Sequence, residues 1–174
     1  MRIMAVSGSL RENSSNKSLI DSLPYLAPEN VNIDVYDGIG KLPHFNPDID
    51  KEPHPAPVAH FLARLSLADG LVICSPEYAH GVAGVMKNAV DWTVGNSGLE
   101  GKPVALINAS PRSQSAQEHL SATLRLLGDY VEDASIAVPV AGTGMDAQEL
   151  ARNPEIAPLI RSALAMLCRA IARN

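Results

Sequence analysis

The chain has 174 residues, is 46% hydrophobic and 19% charged, and carries a net charge of −5. That length suits one compact domain over residues 1–174, with core enough to fold without disulfides. The acidic balance excludes nucleic acid as the main partner, because no cationic excess exists to neutralise phosphates. No apolar run approaches the ~18 residues that span a bilayer, so no membrane partner is expected either.

The first predicted element is a strand, Ile3 to Val6. Its unbroken apolar run suits a strand covered on both faces, as in a parallel sheet. It stops at "SGSLRENSSN", Ser7 to Asn16, which holds four serines, two asparagines and one arginine. A helix over Asn16 to Leu26 follows, ending near Pro28. Next, "VNIDVYD" alternates: Val31, Ile33 and Val35 on one side, Asn32, Asp34 and Tyr36 on the other. That pattern predicts a strand with one face partly wet, at an edge of the sheet.

The connection from Asp37 to Pro57 contains five prolines and is too long for a plain turn. Such a loop is an active-site wall or a dimer contact, or else a passive excursion. Val58, Phe61, Leu62 and Leu65 then mark a helical stripe. Leu71 to Cys74 is the third strand. Val82, Val85, Met86, Ala89 and Val90 predict the next helix, with Gly81 and Gly84 letting it pack close to the preceding turn. Val104 to Ile107 is the fourth strand. Ala116, Leu120, Leu124 and Leu127 form a helix stopped by Gly128. Ile136 to Val138 is the fifth strand. The last helix follows Pro154 and buries Ile156, Ile160, Leu164, Leu167 and Ile171.

Strands alternating with helices predict a doubly wound α/β domain with helices on both faces of a five-stranded parallel sheet. With the alternating second strand at an edge, the expected order is 2-1-3-4-5. Ligands of such sheets bind at the carboxyl ends of the strands, where the order reverses. Here that point lies between strands one and three.

The Ser7 to Asn16 loop sits at that point and leads into a helix. Free N–H groups and about half a positive charge stand at a helix start. The serine hydroxyls and an asparagine amide add neutral donors. Arg11 adds a permanent charge with a fork suited to phosphate oxygens. Together they match one phosphate monoester of about −1.5 to −2 charges. Ser14, Ser15 and Asn16 also suit plain helix capping, but a cap needs one such residue. The segment is neither a Walker loop nor a dinucleotide G-x-G-x-x-G loop. Across the crevice, Pro76-Glu77-Tyr78 follows the third strand, where a proline-fixed turn can present N–H groups to the rim of a flat heterocycle.

"GSLRENSSN" and "PEYAHGVAGVMKNAVDW" resemble the NADPH-dependent FMN reductases, a flavodoxin-like family that includes quinone, azo-dye and chromate reductases. Each motif follows a buried strand at the right spacing. The resemblance implies that Ser9, Arg11, Ser14, Ser15 and Asn16 hold the FMN phosphate. It implies that Pro76, Glu77 and Tyr78 border the isoalloxazine and ribityl chain. The family commonly has Asn after Pro-Glu-Tyr; this chain has Ala79, which offers backbone contacts only. After strand four, where the family often has glycines, stands Ser110-Pro111-Arg112-Ser113. Ser110 offers its backbone or hydroxyl to the flavin. Arg112 meets a flavin carbonyl or the nicotinamide nucleotide's phosphates, or is a solvated residue at the helix start.

The implied activity is ping-pong hydride transfer from NADPH or NADH through FMN to a small-molecule acceptor such as a quinone, free flavin or azo compound. The implied assembly is a homodimer or homotetramer. Two other readings stay open: a flavodoxin-type electron carrier, and a non-enzymatic module binding another phosphometabolite. No catalytic residue is assigned, because the cofactor carries such chemistry and no Gly-x-Ser-x-Gly is present. No metal is expected, since His44, His54, His60 and His119 lack ligand spacing. His80 is either a substrate contact or a surface residue. Trp92 packs in the core or at a subunit contact, and Lys87 and Asp91 pair along a helix. Cys74 and Cys168 form no C-x-x-C pair, which with the absence of a signal-like segment points to the reducing cytoplasm. Cys168 falls on the apolar stripe of the last helix and is expected to be buried.

Overall fold

The computed structural model describes residues 1–96 and 98–174. The central strands are β1 (Arg2–Ser7), β2 (Asn32–Tyr36) and β3 (Gly70–Cys74). A two-strand hairpin follows, β4 (Glu77–Tyr78) and β5 (Gly81–Val82). Then come β6 (Pro103–Asn108), β7 (Asp129–Tyr130) and β8 (Ile136–Ala137). The helices are α1 (Ser15–Leu26), α2 (Ala56–Ser66), α3 (Gly84–Asp91), α4 (Gln114–Leu127), α5 (Ala147–Arg152) and α6 (Ile156–Ile171). Among the described residues, no helix is long and apolar enough to cross a membrane.

The main sheet is parallel and six-stranded, in the order β2-β1-β3-β6-β7, with β8 also paired to β6. Ile3 lies between Ile33 and Gly70, and Ala5 between Val35 and Val72. Along β1 the side chains alternate between two cores. Ile3 and Ala5 pack with Leu19 and Leu23 of α1 and Ile160 and Leu164 of α6. Met4 and Val6 pack with Phe61 of α2, Met86 of α3 and Leu124 of α4. Both faces are therefore covered, which is why these strands read as unbroken apolar runs. Cys168 is only partly buried and packs against the first of these cores.

Four sequence expectations change. The expected fifth strand is two short segments on the same edge of β6. β7 pairs Val104 with Tyr130, and β8 pairs Ile107 with Ile136. Glu132 and Asp133 interrupt them in a 3-10 turn, and the Ser135 hydroxyl bridges the gap. Its oxygen accepts from Leu106 N (3.0 Å) and it donates to Val131 O (2.9 Å). Val138 lies just beyond the strand, though its N–H still bonds Asn108 O at 2.7 Å.

The helix expected to include Val82 begins only at Gly84, because Val82 pairs with Glu77 in the hairpin. Gly84 is not needed for close packing, since a Cβ there meets nothing within 4 Å. β2 does lie at the edge of the sheet with Asn32 exposed, but the rest of that face is closed. Tyr36 is buried, and Asp34 is held by Arg2 (Nη2–Oδ2, 2.6 Å) and by Arg64.

The 37–57 connection is strapped to α3 rather than loose. Trp92 Nε1 and Asn88 Nδ2 both donate to Pro43 O, at 2.9 and 3.0 Å. Phe45 N donates to Asn88 Oδ1 at 2.7 Å, and the Phe45 ring meets Trp92 edge-on at 5.1 Å. Lys87 and Asp91 form the expected pair on α3.

Candidate functional site

The first loop passes close to the end of β3. Gly8 N donates to Cys74 O at 2.7 Å. A Cβ on Gly8 would stand 2.8 Å from Ser75 Oγ and 3.2 Å from Met86 Cβ, so only glycine permits this approach. Ser14 is the extended residue before α1 and makes no side-chain capping bond. The first turn of α1 carries no acid, so its free N–H groups and positive dipole end face outward uncompensated. Ser9 is nearly buried; its N–H bonds Ser7 Oγ at 3.2 Å and its Oγ accepts from Arg11 N at 3.4 Å. Among the described residues Arg11 makes no ion pair.

Asn16 is oriented from below. Its Oδ1 accepts the Cys74 thiol proton at 3.1 Å, which leaves the amide nitrogen for a ligand. Burial pushes the Cys74 thiol up from its ordinary 9.0 to about 12. The folded chain thus keeps a proton that the unfolded chain loses above about pH 9, so alkali favours unfolding. We expect stability to fall by about 1.4 kcal/mol between pH 8 and 10 from this thiol. Urea unfolding at both pH values checks it, and Cys74→Ala should flatten that slope.

The second loop is more rigid than its sequence suggests. Glu77 Oε2 accepts from Ala116 N at 3.0 Å. α4 has no acid in its own first turn and no side-chain cap, so Glu77 supplies the missing charge from outside the helix. His80 Nδ1 lies 3.5 Å from Glu77 Oε1, and the His80 side chain is 90% exposed. Tyr78 is exposed at the rim. Ala79 and His80 have φ of +50° and +57°, the left-handed pair that a tight two-residue hairpin turn requires. An L-side chain without a local hydrogen bond is disfavoured there, which gives a physical reason for asparagine at position 79. Ala79→Asn should raise stability by about 0.5–1 kcal/mol, read by thermal unfolding.

The third loop is held by Asn108, which sequence reasoning missed. Its Oδ1 accepts from Ser110 N (2.9 Å) and its Nδ2 donates to Ser113 O (2.9 Å). The only sequence signal was a polar residue closing a buried apolar run at a strand's carboxyl end. Because the Ser110 N–H is already taken, Ser110 offers a ligand its hydroxyl.

These three loops enclose one cavity of about 310 Å³. Ser9, Arg11, Ser14, Ser15 and Asn16 line it from the first loop. Pro76, Glu77 and Tyr78 line it from the second, and Ser110 and Ser113 from the third. Ala141 and Gly142, beyond β8, complete it and were also missed. Ala79 and Arg112 lie outside the lining. Ala79 is at the hairpin tip, and Arg112 lines an adjoining cavity of about 290 Å³ that shares Ser110 and Ala141 with the first. A larger cavity, about 560 Å³, lies by Ser66, Glu100 and Lys102. Ser66 ends α2, and Glu100 and Lys102 precede β6, away from the carboxyl strand ends where such sheets bind ligands.

The donor set fits a phosphate. It offers one guanidinium, an open helix start, serine hydroxyls and an amide N–H₂. Its one carboxylate, Glu77, is occupied by α4.

The sequence profile of NADPH-dependent FMN reductases matches residues 1–142. An NAD(P)H-dependent FMN reductase of Pseudomonas aeruginosa is 31% identical over 173 residues, 96% of this chain and 93% of that protein. A 2-hydroxy-1,4-benzoquinone reductase of a Burkholderia species is 42% identical over 113 residues, 63% of this chain and 61% of that one. Among solved structures, a flavoenzyme NAD(P)H:(acceptor) oxidoreductase of Paracoccus denitrificans aligns with a TM-score of 0.79 at 27% identity, covering 99% of this chain and 97% of that one.

Proposed function

Because the chain belongs to the NADPH-dependent FMN reductases, on a flavodoxin-like fold, we propose that residues 1–174 form one FMN-binding domain that reduces small-molecule acceptors with NADPH or NADH. The observation that carries this reading is the convergence of Arg11, the uncapped start of α1 and the buried Ser9 and Ser14 on one cavity. When bound, FMN supplies the redox chemistry: electrons enter from the nicotinamide nucleotide and leave to a quinone, flavin, azo compound or similar acceptor in alternating half-reactions.

The residues have separate tasks. Ser9, Arg11, Ser14, Ser15 and Asn16 grip the phosphate. Pro76 and Tyr78 border the ring, with Ala79 contributing backbone. Glu77 acts through α4, fixing the second loop against the third. Ser110 offers a hydroxyl to the ring. Arg112, in the adjoining cavity, meets the phosphates of the nicotinamide nucleotide. Leu10 of the first loop and Tyr78 of the second are both exposed and suit coverage by a second copy, in a cytoplasmic homodimer or homotetramer.

The test is a visible spectrum of the purified protein without oxygen, before and after NADPH or NADH. Flavin bands that bleach with either nucleotide support the reductase. Bands that bleach with neither favour an electron carrier. A protein that stays colourless after mixing with FMN favours a module for another phosphometabolite.

A further inference from the structure

Cys74 closes β3 and is fully buried, at the point where the three loops of the site converge. Its carbonyl accepts from Gly8 N of the first loop at 2.7 Å. Its thiol donates to Asn16 Oδ1 at 3.1 Å. The Ala109 N–H, at the start of the third loop, stands at the same sulfur. Ala109 O in turn accepts from Val140 N and Ala141 N, at 3.2 and 2.9 Å, beyond β8. One side chain that no ligand touches is therefore tied to every segment that encloses the cavity.

Asn16 is the second residue of α1 and lines that cavity. Its side-chain amide can turn either its oxygen or its N–H₂ toward a ligand. A phosphate oxygen accepts from the N–H₂ and is repelled by the carbonyl oxygen. The choice is made behind Asn16, because a thiol donor there must face the oxygen. The Asn16 side chain makes no other hydrogen bond among the described residues. Burial keeps the thiol protonated, so it stays a donor at neutral pH.

We infer that Cys74 is a positioning residue for the cofactor: by holding the Asn16 amide with its N–H₂ toward the cavity, it sets how strongly the site prefers a flavin that carries a phosphate. This rests on the FMN reading above. Cys74 touches neither the phosphate nor the ring and acts through Asn16 alone, so its effect belongs to the phosphate and spares the ring.

The test uses the full chain freed of flavin and titrated with FMN and with riboflavin, following flavin fluorescence. The quantity read is the ratio of the two affinities. Cys74→Ala should lower that ratio about fivefold, the effect of one neutral hydrogen bond, and change riboflavin affinity by less than about twofold. Cys74→Ser, which keeps a donor, should bring the ratio back to within about twofold of the native chain. In an Asn16→Ala chain, Cys74→Ala should move the ratio by less than about twofold, because the group it orients is gone. If Cys74→Ala fails to fold, Cys74→Val fills the space and lacks the donor. An unchanged ratio, equal weakening of both flavins, no rescue by serine, or a full effect in the Asn16→Ala chain overturns the inference. If the native chain prefers FMN and the ratio ignores Cys74, only this inference falls; if the native chain binds both flavins alike, the phosphate-cradle reading falls with it.

Discussion

Replacing Arg11 with alanine should lower FMN affinity about thirtyfold while the melting temperature moves by less than about 2 °C. The affinity loss follows from removing the one full charge in the cradle. A hydrogen bond to a charged group contributes about 1.5–3 kcal/mol, and 2 kcal/mol is close to thirtyfold. The serines and the start of α1 remain, so binding weakens rather than vanishes. Stability is spared because Arg11 is exposed and, among the described residues, unpaired. Arg11→Lys keeps the charge but loses the fork, and should fall between the two. Raising salt should weaken the native chain's binding more than the alanine variant's, since screening acts on the charge that was removed. Flavin fluorescence titration at two ionic strengths reads all of this.

The largest effect on stability is expected at Trp92. Its indole is fully buried in the core between α3 and the sheet. Truncation to alanine removes that contact area and leaves a cavity, at a cost of about 3–5 kcal/mol. For a chain of this length that corresponds to a fall in melting temperature of about 10–15 °C. The loss should also loosen the 37–57 connection, because Trp92 donates to Pro43 O and stacks edge-on with Phe45. Trp92→Phe keeps most of the burial. Pro43 O also keeps its bond from Asn88 Nδ2, so that variant should lose only about 1–2 kcal/mol. Urea unfolding measures both, and limited proteolysis within 37–57 reports the loop.

The strands that position the site were legible because burial on both faces leaves its mark on every residue of a short run. Ile3 to Val6, Leu71 to Cys74 and Val104 to Ile107 needed no tertiary knowledge. The last strand was not legible as two pieces. Its break depends on Ser135 reaching a backbone N–H of β6, a partner far away in the chain. The tight turn at Ala79 and His80 was hidden for another reason: alanine is not a left-handed turn former, and His80 alone is too weak a signal to mark the turn.

The donor-rich loop that lines the cavity was readable from composition alone, because hydroxyls, an amide and an arginine were concentrated in ten consecutive residues. Asn108, at the end of β6, and Ala141 and Gly142, beyond β8, were not, since parts of the chain distant from the first loop bring them to the cavity. Glu77 lines the cavity, but its bond to Ala116 N could not be foreseen without knowing how α4 approaches. α5 could have been found from its capping box, Asp146 with Glu149 three residues on.

The most direct measurement compares the affinities of FMN and riboflavin for the flavin-free chain. The two ligands differ only in the phosphate. If Arg11, the serines and the open start of α1 hold that group, FMN binds tighter by about a hundredfold or more. Equal affinities would contradict the account.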